Sequence, residues 1–180
     1  MAVYTSFAVI GAGSLGSFIT AELLKKDVSV KVLTRDDSKA EWDAVKRSGA
    51  TIVKVDYSDE KSLQDALTGV QVVVSTVSFY GLGAQVGMMK AAKAAGAQLF
   101  VPAEFGVEVF DGMNRAKAVV RDALNELQLP YAYFHPGFFA DLFHVFFGCK
   151  YAEGRMTIVG KGETAFSATS RHDIGRFVAH

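Results

Sequence analysis

"FAVIGAGSLGSFITAELLKKDVSVKVLTRDDSK", residues 7–39, holds three glycines between an apolar run and a segment of helical periodicity. Gly11, Gly13 and Gly16 form the pattern G-x-G-x-x-G directly after a predicted strand and at the start of a predicted helix. The first glycine permits a tight turn, the second lets a pyrophosphate approach the backbone, and the third allows the helix to pack closely on the strand. The stretch therefore predicts a dinucleotide-binding loop, the alternative being a glycine-rich turn that binds nothing.

Along the rest of the chain, apolar β-branched runs alternate with segments of helical period, which predicts parallel strands joined by crossover helices. The predicted fold is an α/β, doubly wound, Rossmann-type parallel sheet whose ligand lies beyond the carboxyl ends of the strands. Strands are predicted at Phe7–Ile10, Val28–Leu33, Thr51–Val55, Val70–Thr76, Gln98–Val101 and Tyr131–Phe134. Helices are predicted at Ser14–Lys26, Lys39–Ser48, Glu60–Leu67, Ala84–Ala95 and Arg115–Gln128.

The length of 180 residues predicts a single NAD(P)-binding Rossmann-type domain over residues 1–180. Residues 136–166 fit a regular βα repeat poorly, so we expect them to be the beginning of a small substrate lobe beside the cofactor cleft. The chain stops at RHDIGRFVAH, just as a new helix is predicted after Asp173. We therefore expect the C-terminus to be truncated.

Composition argues against several classes of partner. Nineteen basic residues balance nineteen acidic ones, so no large charge favours nucleic acid or an anionic membrane. Histidines stand at positions 135, 144, 172 and 180 without metal-ligand spacing, and no metal site is expected. The aromatic stretch 129–149 is interrupted by proline, glycine, aspartate and histidine, so it is not predicted to span a membrane. A single cysteine and an N-terminus without a signal pattern predict a cytoplasmic protein.

An arginine follows the second predicted strand, about twenty residues beyond the glycines, where NAD-binding folds keep a carboxylate for the ribose hydroxyls. Arg35 cannot accept those hydrogen bonds, but its guanidinium can fork onto a 2′-phosphate and stack on adenine. The position therefore predicts NADP(H) rather than NAD. Asp36 and Asp37 are the alternative carboxylates, although Ser38 and Lys39 add groups that suit a phosphate. Arg35 as a solvated loop residue is the other alternative.

Six short motifs occur in order along the chain: the glycine loop, LTR at 33–35, VD at 55–56, VSTV at 74–77, PAEFG at 102–106 and PGFF at 136–139. With them the chain resembles the NmrA-like and isoflavone-reductase-like proteins, which are atypical short-chain dehydrogenases/reductases. Members of that family are generally longer and carry a C-terminal substrate lobe. The resemblance implies NADP(H) as cofactor, with pyrophosphate at Gly11, Gly13, Ser14, Leu15 and Gly16, 2′-phosphate at Arg35, and the adenosine and nicotinamide-ribose side along Thr76, Val77, Ser78 and Phe79.

The reductases of this family use a lysine on the helix after PAEFG, and the resemblance implies this catalytic and cofactor-binding role for Lys117. A partly desolvated lysine could exchange a proton at neutral pH, while its charge helps to hold the nicotinamide ribose. Met113 replaces the tyrosine of the usual Tyr-x-x-x-Lys pair. At about 100° per residue Lys117 lies at the edge of an apolar stripe, where it could also simply extend to water. The stripe comprises Ala116, Val119, Val120, Ala123, Leu124 and Leu127.

Two carboxylates have open roles. Asp56 either accepts a hydrogen bond near adenine or caps the helix that starts near Glu60. Glu104 either orients Lys117 or caps the next turn, and the cap is the simpler interpretation.

Several phenylalanines near the cleft could form an aromatic substrate pocket. We expect Phe105, Phe138 and Phe139 to be candidate substrate contacts. For Phe143, Phe146 and Phe147 we expect packing instead.

Two functional hypotheses remain. In the first, the protein is an NADP(H)-dependent reductase that transfers a hydride to a small aromatic or carbonyl-conjugated substrate, with Lys117 supplying the proton. In the second, it is a non-catalytic redox-sensing regulator that binds NADP(H) and reports to a protein partner. The lysine favours the first, and the short C-terminal part favours the second.

Overall fold

A computed structural model, which describes residues 4–108, 115–158 and 160–180, contains a central sheet of five parallel strands. The strands are β1 (Ser6–Ile10), β2 (Ser29–Thr34), β3 (Thr51–Lys54), β4 (Val72–Ser75) and β5 (Leu99–Val101). They lie in the order β3-β2-β1-β4-β5. Because the chain reverses its direction of winding between β1 and β4, the predicted doubly wound Rossmann-type sheet is confirmed.

Five helices connect or follow these strands. They are α1 (Gly16–Leu23), α2 (Glu41–Arg47), α3 (Glu60–Leu67), α4 (Gln85–Ala94) and α5 (Arg115–Leu127). The chain continues through β6 (Phe138–Phe139), α6 (Phe143–Phe146), β7 (Ala168–Thr169) and α7 (Arg171–Val178), with β6 and β7 paired in parallel as a small second sheet. None of the described helices is long and apolar enough to cross a bilayer.

Alternating side chains of β1 supply both faces of the sheet, as the strand period requires. Ala8 and Ile10 belong to one buried cluster, and Val9 belongs to another. On the first face α3, α4 and α5 contribute Leu63, Leu67, Met88, Met89, Val120 and Leu124. On the second face α1 and α7 contribute Ile19, Leu23 and Ile174. The sheet is therefore covered by helices on both sides.

The predicted sixth strand, Tyr131–Phe134, is wrong in its extent. Within the part of the chain that the structure describes, the segment approaches β5 in parallel through a single bridge, between Phe100 and Tyr131. Phe100 donates its N–H to Pro130 O at 2.8 Å and accepts from Ala132 N at 3.3 Å. Because β5 has only three residues and Pro102 follows it without an N–H, the ladder cannot be extended.

Two helical segments differ from the sequence predictions. A 3-10 turn that was not predicted is formed by Phe79–Ala84, and it leads directly into α4. The last helix begins at Arg171 rather than after Asp173. Ser170 caps it by accepting a hydrogen bond from the Asp173 N–H at 3.1 Å, and this cap explains the earlier start.

The glycine loop and the end of β4 are in close contact. A Cβ atom built on Gly16 would lie 2.6 Å from Gly11 O and would also overlap the Thr76 hydroxyl. At Gly13, no heavy atom of the described residues lies within 4 Å of the corresponding position. The third glycine of the motif is therefore required by packing, whereas the second leaves open space beside the backbone.

We expect Gly16→Ala to lower the free energy of unfolding by about 1–3 kcal/mol, because the added methyl group overpacks the turn. Gly13→Ala, the matched control, changes it by less than about 0.5 kcal/mol. Urea denaturation of the two variants measures the difference. Equal stability of Gly16→Ala and the wild type would contradict the packing role.

Candidate functional site

A cavity of about 1000 Å³ lies at the carboxyl ends of the strands, next to the point where the winding reverses between β1 and β4. This is the position at which doubly wound sheets bind their ligands. Most predicted site residues line it: Gly11, Gly13, Ser14, Leu15, Arg35, Lys39, Thr76, Val77, Ser78, Phe79, Phe105, Lys117 and Phe139. Gly16, Asp56 and Phe138 are outside its lining.

The loop after β1 has the geometry that a pyrophosphate requires. Gly11 has a φ of +85°, and its N–H donates to Leu33 O at 3.1 Å. Gly13 N–H then donates to Gly11 O at 2.8 Å, which closes the turn. Among the described residues no side chain caps α1 at Leu15. The N–H groups of Ser17, Phe18 and Ile19 donate to Gly13 O and Leu15 O, so the anion donors are the N–H groups that precede them in the loop. Together with the open space at Gly13, these donors fit a pyrophosphate group.

Arg35 lies at the mouth of this cavity, exposed, with its guanidinium carbon 5.5 Å from the centre of the Tyr57 ring. The Tyr57 hydroxyl donates to Leu33 O at 3.1 Å, and burial raises the pKa of this phenol. Sequence analysis missed Tyr57, although it directly follows the VD motif. The ring holds the guanidinium beside the cavity as a preformed stacking partner.

The two aspartates after Arg35 have protein partners, one within its own loop and one on β3. Asp36 Oδ1 accepts from the Ser38 N–H at 3.0 Å and from its hydroxyl at 2.6 Å, and these bonds lower the pKa of Asp36. Asp37 lies 3.9 Å from Lys54 Nζ. The Ser38 hydroxyl is thus used by Asp36, which leaves Arg35 and Lys39 as the predicted phosphate contacts in this loop.

The loop after β2 packs on Trp42, a buried residue of α2 that also lines the cavity. Its indole Nε1 donates to Asp36 O at 2.7 Å. Lys39 Nζ lies 5.9 Å from the centre of the Trp42 ring. The indole therefore connects the loop that carries the cations to the hydrophobic core.

Asp56 does not reach the main cavity. It lines a smaller adjoining cavity of about 350 Å³ together with Arg35 and Lys54. Its carboxylate accepts from the Ser58 N–H at 2.9 Å and the Ser58 hydroxyl at 2.7 Å, which lowers the pKa of Asp56. The alternative role as a helix cap is wrong, because Asp59 caps α3 by accepting from two backbone N–H groups.

Glu104 is buried after β5, with its side chain 1% exposed, and it binds two cations of α5. Arg121 donates Nε to Oε1 and Nη2 to Oε2, each at 2.8 Å. Lys117 Nζ donates to Glu104 O at 3.4 Å and lies 3.7 Å from Oε2. The expected cap is therefore wrong, since both carboxylate oxygens are used to hold cations. Hydrogen bonding to Glu104 also raises the pKa of the Arg121 guanidinium.

The buried face of α5 is rotated slightly about the helix axis from the predicted apolar stripe. Val119 is 54% exposed, whereas Val120 and Leu124 are buried. Lys117 lies three residues before Val120 and four before Arg121, so both charged residues share the buried face. The Lys117 side chain is only 12% exposed. The interpretation of Lys117 as a solvated lysine is therefore wrong. Arg121 was missed, although it stands four residues after Lys117. Met113 lies outside the described residues.

Aromatic side chains form one wall of the cavity. Phe105 stacks on Phe134 with ring centres 6.0 Å apart, and Phe139 lines the cavity beside it. Phe146 packs against Phe138 as expected, but it is also 55% exposed and lines the cavity. Phe138 instead packs in an aromatic cluster with Phe143, Phe146, Phe147 and Phe166.

Among the described residues, no group of three His, Cys, Asp or Glu could hold a metal ion.

Comparison with known proteins identifies sequence relatives. The sequence profile of the NmrA-like family matches residues 5–179. An isoflavone reductase homolog from Solanum tuberosum is 30% identical over 93% of this chain and 60% of its own. Phenylcoumaran benzylic ether reductase PT1 from Pinus taeda is 32% identical over 75% of this chain and 48% of its own. The chain thus spans about half to three fifths of the length of these relatives.

Solved structures show the same architecture. The complex of leucoanthocyanidin reductase with NADPH from Vitis vinifera has a TM-score of 0.79 at 26% identity, covering 96% of this chain and 62% of that one. An isoflavone reductase structure has a TM-score of 0.80 at 21% identity, covering 98% and 65%. The second likeness concerns the fold alone.

We expect Arg121→Met to lower the free energy of unfolding by about 3 kcal/mol, because it leaves the buried Glu104 carboxylate without its main partner. Arg115→Met, at an exposed position of the same helix, is the control and changes stability by less than about 0.5 kcal/mol. Chemical denaturation measures both values. Similar stability of the two variants would show that the ion pair contributes little.

Proposed function

This chain belongs to the NmrA-like family, and we propose that it forms the nucleotide-binding part of an NADPH-dependent reductase. The observation that carries the proposal is a shared cavity: the glycine loop, Arg35 and Lys117 all line it. The loop would hold the pyrophosphate, while Arg35 and Lys39 would bind the 2′-phosphate. When bound, NADPH supplies the hydride for the reaction.

Lys117 is the proposed proton donor. Lys117 lines the cavity, its side chain is largely withdrawn from water, and the carbonyl and carboxylate of Glu104 hold its ammonium group in place. A positioned ammonium group can protonate the oxygen on which negative charge develops during hydride transfer. Arg121 occupies both carboxylate oxygens and so keeps Glu104 in register with the lysine.

The proposed substrate is a small aromatic or carbonyl-conjugated compound. Phe105, Phe139 and Phe146 give one wall of the cavity an aromatic surface. One relative is named a phenylcoumaran benzylic ether reductase and another an isoflavone reductase homolog, which agrees with an aromatic substrate class. Residues 136–166, which carry two of these rings, would be the beginning of a substrate lobe that adjoins the single Rossmann-type domain.

The regulator hypothesis has no comparable support, because the relatives described above are named as reductases or as a reductase homolog, and none of these names indicates a protein partner. A cytoplasmic location remains part of our proposal, in keeping with Cys149 as the single cysteine.

We expect Arg35→Gln to weaken NADPH binding by about 1.5–3 kcal/mol, because the variant loses charge-assisted hydrogen bonds to the 2′-phosphate. NADH binding stays nearly unchanged. Arg47→Gln, an exposed arginine on α2 outside the cavity lining, is the control. Isothermal titration with both nucleotides gives the comparison, and equal losses for NADPH and NADH would refute the 2′-phosphate role.

For Lys117→Ala we expect turnover to fall by about 10²–10⁴-fold while NADPH remains bound, because the variant removes the proton donor but leaves the loop intact. The assay follows NADPH oxidation with a panel of enones, quinones and aryl carbonyls. Lys90→Ala, an exposed lysine on α4, is the control. Tight binding of NADP⁺ and NADPH without turnover of any compound would instead favour the regulator.

A further inference from the structure

Arg171, at the start of α7, contacts the glycine loop from outside the cavity. Its Nη1 donates to the Ser14 hydroxyl oxygen at 2.5 Å and to Ser14 O at 3.3 Å. Ser14 itself lines the cavity, whereas Arg171 does not. The two residues are 157 positions apart in the sequence, so only the tertiary fold brings them together.

The guanidinium of Arg171 is held on two further sides. Its Nε donates to Asp141 Oδ2 at 2.6 Å, and Asp141 Oδ1 accepts from the Arg171 N–H at 3.1 Å. Burial opposes ionisation of Asp141, but these bonds lower the pKa of its carboxyl group overall. The guanidinium carbon also lies 5.4 Å from the centre of the Phe18 ring. Since the side chain is only 19% exposed, its orientation toward Ser14 is well defined.

Close packing of α7 on α1 fixes this arrangement. A Cβ atom on Gly175 would lie 2.9 Å from the Phe18 carbonyl carbon, so the two helices approach at backbone distance. Ile174 is buried in the same cluster as Ile19. Because α1 begins directly after the glycine loop, α7 is held at a constant distance from Ser14.

A serine hydroxyl can accept two hydrogen bonds and donate one. With its oxygen accepting from Arg171, Ser14 keeps its hydroxyl hydrogen for a donor bond of its own. The partner at that point of the loop would be the pyrophosphate, if the nucleotide binds as proposed above. Asp141 balances much of the arginine charge, so orientation rather than net attraction is the main effect.

We propose that Arg171 is a positioning residue for nucleotide binding, which directs the Ser14 hydroxyl and its loop toward the pyrophosphate. This role rests on the proposed NADPH site but concerns the pyrophosphate, which NADPH and NADH share. It therefore differs from the role of Arg35, which concerns only the 2′-phosphate.

The test compares three ligands: NADPH, NADH and 2′-AMP, which carries the 2′-phosphate without a pyrophosphate. Arg171→Gln is expected to raise the dissociation constants of NADPH and NADH about tenfold each, and to leave that of 2′-AMP unchanged. Ser14→Ala is expected to do the same. The double variant should bind each dinucleotide no more weakly than the single variant with the lower affinity, because both substitutions remove the same interaction. Arg176→Gln, an exposed arginine on the same helix, is the matched control.

Several outcomes would overturn the proposal. Wild-type affinity of Ser14→Ala or of folded Arg171→Gln for both dinucleotides would do so, and so would multiplicative losses in the double variant. A loss confined to thermal stability, with affinities unchanged, would assign Arg171 a structural role only. Should Arg171→Gln fail to fold, Ser14→Ala alone decides, since its exposed loop position does not support α7 packing. Absence of NADPH and NADH binding by the wild type would refute the proposed function and this role together, whereas intact wild-type binding with unaffected variants refutes this role alone.

Discussion

The close contact between the turn after β1 and the end of β4 is the constraint on which the cavity depends. Thr76 donates its N–H to Ile10 O at 2.9 Å, and its hydroxyl contacts Gly11 O. These bonds hold the two loops together at the point where the sheet reverses its winding. The absence of a side chain at Gly16 permits the close approach of the two loops, and the cavity opens next to their contact. A wider separation would move the helix start away from the position where an anion can bind.

The second determinant of the site is electrostatic. Glu104 is almost completely buried, and an unpaired carboxylate there would cost several kcal/mol. Two cations on one face of α5 satisfy it, and only one of them, Lys117, also lines the cavity. Arg121 thus stabilises the carboxylate, and this leaves the lysine oriented by the same group but accessible from the cavity. A division of this kind allows a charged residue to be buried and still face a ligand.

Sequence reasoning predicted the parts that depend on local backbone requirements. The glycine loop follows from a tight turn and a helix start, and the buried strands follow from apolar runs, so both were found. The pairing of Glu104 with Arg121 and the contact of Arg171 with Ser14 depend on which elements become neighbours. No local pattern encodes those distances. The sixth strand was overestimated for the related reason that a strand needs a partner with free backbone groups.

The supporting role of Trp42 under the cation-bearing loop gives the protein a built-in optical reporter. Trp42 is the single tryptophan of the sequence, it is buried, and it lies in the lining of the cavity. Its fluorescence therefore comes from one known place, beside the loop that would bind the adenosine end of a nucleotide. Quenching of this emission, or energy transfer to a reduced nicotinamide, can be followed without attaching any label to the chain.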